Sequence, residues 1–116
     1  MPLLKIQTNI ETPDDLHNSL LKLTSSTTAS ILGKPEAYVM VTLEQNPNML
    51  FAGSSAPLAY LELKSIGLPE AETKTLSHTL CQLISDQLGI QADRIYIEFA
   101  NAERHMWGWD GDTFER

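Results

Sequence analysis

The chain has 116 residues, 42% hydrophobic and 20% charged, with a formal net charge of −7 and a pI near 4.7. That balance fits one globular domain with a core of its own and excludes a disordered chain. The acidic charge, without a cluster of Lys and Arg, argues against nucleic acid and anionic membrane surfaces as partners.

No apolar run approaches the roughly 20 residues of a membrane span, and no charged-then-apolar leader opens the sequence. The expected compartment is the cytoplasm, with leaderless secretion left open. The opening "MPLLKIQTN" places a proline directly after the initiator methionine. Methionine is usually trimmed before proline, and the mature chain would then begin with the secondary amine of Pro2. A terminal amine has an ordinary pKa of about 8, lowered by burial or a nearby cation, which makes it a candidate general base. The other reading is an edge strand that begins with proline because a missing N–H costs little there.

"TPDDLHNSLLKLTSSTTASILG" follows, with Leu16, Leu20, Leu23, Thr27 and Ile31 on one helical stripe. Thr12 is the expected N-cap, Pro13 the first helical residue and Gly33 the left-handed stop. Lys34 comes directly after that stop. "YVMVTLE" and "LAYLELKSI" read as strands. "PEAETKTLSHTLCQLISDQLG" repeats the helical plan with Leu76, Leu80, Ile84 and Leu88, closed by Gly89.

Cys81 is the single cysteine, so no internal disulfide and no thiolate metal cluster are expected; its helical setting suggests a structural thiol. His17, His78 and His105 lack ligand spacing. "RIYIEFA" is a further strand. The aromatic tail from Asn101 should form a short hairpin or edge strand docked on a neighbour. Its "DGD" lacks the other ligands of a calcium loop and reads as a turn.

An offset of 56 residues relates the halves: Leu20 to Leu76, Leu32 to Leu88 and Gly33 to Gly89, with Leu4 falling on Tyr60 and Val41 on Ile97. Two pseudo-repeats, about 2–44 and 57–99, with a tail over 101–116, make one domain of two β-α-β units. Right-handed crossovers put both helices on one face of a four-stranded sheet. "YVMVTL" and "AYLEL" carry apolar residues in both alternating registers, so the other face should also be covered. A symmetric oligomer is expected to cover it.

"PLLKIQTNI", "GKPEAYVMVTL", "FAGSSAP", "SIG", "DRIYIEF" and "GWDGDTF" stand in an order and at a spacing that resemble the macrophage migration inhibitory factor and D-dopachrome tautomerase family, within the tautomerase superfamily. The resemblance spans essentially the whole chain. It implies a β-α-β-β-α-β fold with a mixed sheet, and a homotrimer whose sheets form a central barrel with active sites between subunits. It also implies cofactor-independent keto–enol tautomerisation of phenylpyruvate-type 2-oxo acids.

On this resemblance Pro2 matches the catalytic base and Lys34 the residue that holds the substrate carboxylate; without the resemblance Lys34 reads as a solvated lysine at a helix C-terminus, favourable there to the helix dipole. Ile66 matches a position whose backbone N–H contacts substrate. Tyr96 matches a tyrosine supplied by an adjacent subunit. Tyr38, Trp109 and Phe114 match an aromatic lining, although Tyr38 and Phe114 also suit plain packing.

Three departures stand out. Glu98 replaces an asparagine of mammalian members and accepts hydrogen bonds without donating them. Leu58 and Leu61 occupy the positions of the family's C-x-x-C pair, which removes thiol–disulfide exchange there. Trp107 adds a bulky ring to the rim beside Trp109. Two alternatives stay open: a cytokine-like, receptor-binding protein with a vestigial pocket, and another superfamily reaction such as decarboxylation or dehalogenation, which would call on arginines such as Arg94 or Arg104.

Overall fold

The computed structural model describes residues 1–115, and Arg116, the last residue of the tail, lies outside them. Strand β1 (Leu3–Thr8) leads into helix α1 (Asp14–Leu32), a 3-10 turn at Glu36–Tyr38 and strand β2 (Met40–Gln45). The second half runs through β3 (Ala59–Ile66), α2 (Thr73–Leu88) and β4 (Ile95–Ala102). A small hairpin, β5 (Gly108–Trp109) and β6 (Asp112–Thr113), closes the described chain.

The main sheet has the order β2-β1-β3-β4. Each crossover pairs its strands in parallel, β1 with β2 and β3 with β4, and the halves join antiparallel through β1 and β3. The expected mixed four-stranded sheet is therefore present. Both helices pack on one face, because a right-handed crossover returns its helix to the same side. Leu4, Ile6, Leu61 and Leu63 from the sheet meet Leu20, Leu80 and Ile84 from the helices, all 0% exposed. Each such side chain contributes about 2 kcal/mol of transfer free energy.

The register corrects the repeat in one place. Leu61 pairs with Ile97 and Leu4 with Val41, all on the helix side, whereas Tyr60 lies on the opposite face. Leu4 therefore corresponds to Leu61, not to Tyr60; the helices and the second strands keep the offset of 56, and the first strands slip by one. A slip of one residue exchanges the two faces.

The open face is also unlike the expectation of apolar cover. Two of its rows carry Lys5, Thr42, Glu62 and Glu98, then Gln7, Glu44, Tyr60 and Tyr96, while the third, at the amino-terminal end, carries Leu3, Met40, Lys64 and Ala100, with Met40 66% exposed. Gln7 donates to Glu44 at 2.7 Å, and the Tyr60 hydroxyl lies 2.9 Å from Glu62 and 2.8 Å from Glu98. The polar rows satisfy part of their hydrogen bonding within the chain, and the apolar cover expected from the sequence is confined to the row of Leu3, Met40 and Ala100.

Two details of α1 differ as well. Pro13, not Thr12, is the N-cap residue, and its carbonyl accepts the His17 N–H. Thr12 is buried and accepts a hydrogen bond from Gln45 instead. The buried stripe is Leu20, Thr24, Thr28 and Ala29, while Leu23 is 38% exposed. Small residues face the sheet, and the larger Leu23 is carried outward.

Candidate active site

Local backbone chemistry brings the amino terminus, Lys34 and a group of aromatic rings to one end of the sheet. Gly33 ends α1 with φ 62°, a left-handed conformation that costs glycine nothing. Gly33 N–H bonds Ser30 O at 3.2 Å and Lys34 N–H bonds Ala29 O at 3.0 Å, the paired bonds of a Schellman stop. The chain reverses there and sends the half-buried Lys34 toward the end of β3, where a Cβ added at Gly67 would meet its Nζ at 4.0 Å. Lys34 thus lies beside the Ile66-Gly67 turn. Ile66 itself is 7% exposed.

Pro35 and the 3-10 turn then deliver Tyr38 next to the chain start. The α-amine of Met1 donates to Tyr38 O at 3.0 Å, and Pro2 O accepts the Met40 N–H at 3.0 Å. Pro2 is fully buried. The tail closes the other side: Asp110 and Gly111 both take positive φ, 53° and 75°, as a two-residue hairpin turn requires. Trp109 stacks on Phe114 with centroids 5.5 Å apart, and Tyr38 meets both rings edge-on at 5.4 and 6.1 Å. The tail therefore docks on its own chain through Tyr38.

A cavity of about 340 Å³ results, lined by Met1, Pro2, Leu3, Ala37, Tyr38, Val39, Met40, Trp107, Gly108, Trp109 and Phe114. Its walls are mainly apolar, and Lys34, outside the lining, is near enough for its charge to act on the α-amine at the cavity edge. The α-amine at its edge has its pKa lowered, first by burial and second by the charge of Lys34. Both effects favour the neutral, basic form.

Not every site residue expected from the sequence gathers here. Tyr96 and Glu98 lie on the open face of β4, Glu98 in the middle row with Lys5 and Tyr96 toward the opposite end of the sheet. In register Tyr96 shares a row with Gln7, four residues along β1 from Leu3 and two strands away. That amounts to about 13 Å along the strands and about 10 Å across them. Tyr96 is 63% exposed and packs on Phe51, with centroids 4.6 Å apart. Glu98 holds the Tyr60 hydroxyl and pushes that phenol's pKa up, more than Glu62 does. Within one chain, neither residue reaches Pro2.

Other features find structural roles. Leu58 and Leu61, 2% and 0% exposed, are packing residues. Cys81 is half-buried, its thiol pushed up by burial and directed at Ala92 O. His105 pairs with Glu103 and Glu115 at 3.3 and 3.7 Å. Arg94 spends its donors on backbone carbonyls and faces no cavity of the amino-terminal end. Arg104 lies exposed in a 3-10 turn at Arg104–Met106. The sequence reading missed Ala37, Val39 and Met40 as wall residues, because only the reversal after Gly33 brings them beside the amino terminus.

The family described as macrophage migration inhibitory factor matches residues 1–115. A macrophage migration inhibitory factor homolog from Brugia malayi is 38% identical over 116 residues, covering 98% of this chain and 99% of that protein. The macrophage migration inhibitory factor of Meriones unguiculatus is 37% identical over 115 residues, with coverage of 98% and 99%. A crystal structure of the homologue from Prochlorococcus marinus superposes with a TM-score of 0.90 at 45% identity, covering 97% of this chain and 98% of that one. The match in sequence and fold runs from end to end, and the chain belongs to the macrophage migration inhibitory factor family of the tautomerase superfamily.

Proposed function

We propose that the chain is a cofactor-independent keto–enol tautomerase for phenylpyruvate-type 2-oxo acids, working as a homotrimer, with Pro2 as general base once Met1 is removed. The observation that carries this reading is the position of the chain start. It lies at an apolar, aromatic-walled cavity, where burial and Lys34 both lower the pKa of the terminal amine. With Met1 attached, the Pro2 nitrogen is an amide without a basic lone pair. Removal of Met1 turns it into a secondary amine at the same wall, exposed to the same two influences.

The chemistry follows from charge. Taking a proton from the carbon beside a carbonyl develops an enolate, which needs a base, a positive or N–H donor and exclusion of water. Pro2 takes the proton and gives one back at the other end of the enol system, so protons and electrons balance within the substrate. Lys34 holds the carboxylate, the Ile66 N–H faces the substrate, and the rings of Tyr38, Trp107, Trp109 and Phe114 wall it from solvent. Tyr96, out of reach within its own chain, completes the site of a neighbouring subunit.

Pro2→Gly tests the reading. It keeps a terminal amine but loses the secondary one, and kcat for phenylpyruvate ketonisation should fall by about 10² or more while the fold is kept. Unchanged kcat would remove the amine of Pro2 from the mechanism.

A further inference from the structure

Arg94 directly precedes β4, two residues before Tyr96, and four of its five N–H donors are engaged. Nε donates to Pro57 O at 3.0 Å, Nη1 to Phe51 O at 3.1 Å, and Nη2 to Ser54 O and Ala56 O, both at 3.0 Å. The guanidinium carbon also lies 5.2 Å from the centre of the Phe51 ring. One planar fork thus gathers four carbonyls of residues 51–57, a task for which the point charge of lysine is the wrong shape.

That loop needs holding. Phe51 and Ser54 exchange backbone bonds at 3.0 Å across a turn that sets Ala52 at φ 54°, a left-handed conformation unfavourable for a residue with a Cβ. Asn9 grips the loop from the other side, through Ser55 O at 2.9 Å and the Leu58 N–H at 2.9 Å. The product is a Phe51 ring fixed against Tyr96, which otherwise stands 63% exposed on an edge strand.

We infer that Arg94 is a positioning residue acting in trans: by clamping residues 51–57 it holds the Phe51 ring that orients Tyr96, and so sets substrate affinity at the neighbouring subunit's site rather than its own. This rests on the reading of Pro2 and Tyr96 given above. The clamp is about 13 Å or more from its own amino-terminal cavity along the strands, so within one subunit it makes no direct contact with that site, and the mixed-oligomer test below separates the two routes.

The test uses Arg94→Gln, with Arg94→Lys as the milder variant should Gln fail to fold. In homo-oligomers of unchanged mass, KM for phenylpyruvate should rise about tenfold for Gln and less for Lys, with kcat within about twofold, as expected for a misplaced binding group. Co-expressing Arg94→Gln chains with differently tagged Pro2→Gly chains then separates the routes. In doubly tagged oligomers, an Arg94→Gln chain keeps its Pro2 and receives an intact Tyr96 from its neighbour. A fraction of sites with the parental KM should return.

A uniformly high KM in those mixed oligomers, or an unaltered KM in the Arg94→Gln homo-oligomer, would overturn the inference. A parental protein whose turnover ignores Pro2→Gly would instead defeat the reading of the site. The clamp would then be judged by the Tyr96 ring-proton shifts in NMR: displaced by Arg94→Gln if Arg94 fixes Phe51 against Tyr96, unmoved if it does not.

Discussion

The two ends of the sheet use aromatic side chains in opposite ways. At the amino-terminal end Tyr38, Trp109 and Phe114 turn toward one another around a cavity, and Lys34 supplies a charge beside it. At the far end Phe51 and Tyr96 meet at an interplanar angle of 46°, with Leu50 70% exposed beside them. Both ends carry a recess: one of about 340 Å³ holds the chain start, and the other, about 400 Å³, is walled by Phe51 and Tyr96 and braced from behind by Arg94. Residues that the family resemblance assigns to one site are divided between ends that one chain cannot bring together. The division is the physical argument for a site shared between subunits, and it is stronger than the argument from an apolar open face, since only one row of that face is largely apolar.

The largest expected effect is at the amino-terminal end. Lys34→Ala should raise KM for phenylpyruvate about tenfold, the scale of one lost charge-assisted contact. The same change removes the smaller of the two influences that lower the terminal amine's pKa, so that pKa rises. A base acts when deprotonated, and the rising limb of the kcat/KM profile should therefore move to higher pH. Burial remains, and the limb should not return fully to the ordinary α-amine position. An unmoved limb would break the link between Lys34 and the base.

A smaller effect is expected at the rim. Trp107→Ala removes a ring from the cavity wall, and KM should change by roughly fivefold, about 1 kcal/mol of aromatic contact. No change would take Trp107 out of the site. A substitution in the helix layer, far from both ends, serves as the control: Thr28 is 0% exposed and its Oγ1 has no hydrogen-bond partner among the described residues. Thr28→Val keeps the shape, and it should stabilise the fold by about 1 kcal/mol, read as a higher denaturation midpoint at fixed protein concentration with KM unaltered.

The smallest effect concerns the open face. Glu98→Gln removes the main cause of the raised Tyr60 phenol pKa, so Tyr60 should ionise at lower pH in an ultraviolet titration. An unchanged titration would show that Glu98 does not hold the Tyr60 hydroxyl.

Much of this was legible in the sequence where the signal is local. The 3.6-residue period and the glycines at 33 and 89 marked both helices, and the Asp-Gly pair at 110–111 marked the hairpin. Faces were harder. Tyr60 and Leu61 are adjacent and both apolar in character, so alternation did not reveal which of them matches Leu4, and the slip became visible only through pairing with β1 and β4. The clamp of Arg94 joins residues 37 to 43 positions apart through backbone carbonyls, which carry no side-chain signature. The gap between Tyr96 and Pro2 is likewise a property of strand order, which neither motif contains.

The most direct test of the central claim compares two preparations of one chain that differ only in Met1, each verified by intact mass and assayed for phenylpyruvate ketonisation. The account predicts turnover in the chain that begins at Pro2 and its loss where Met1 remains, because the Pro2 nitrogen is then an amide with no basic lone pair. Equal turnover in both would contradict it. Absence of turnover in the Pro2 form would point to a binding function for the same pocket.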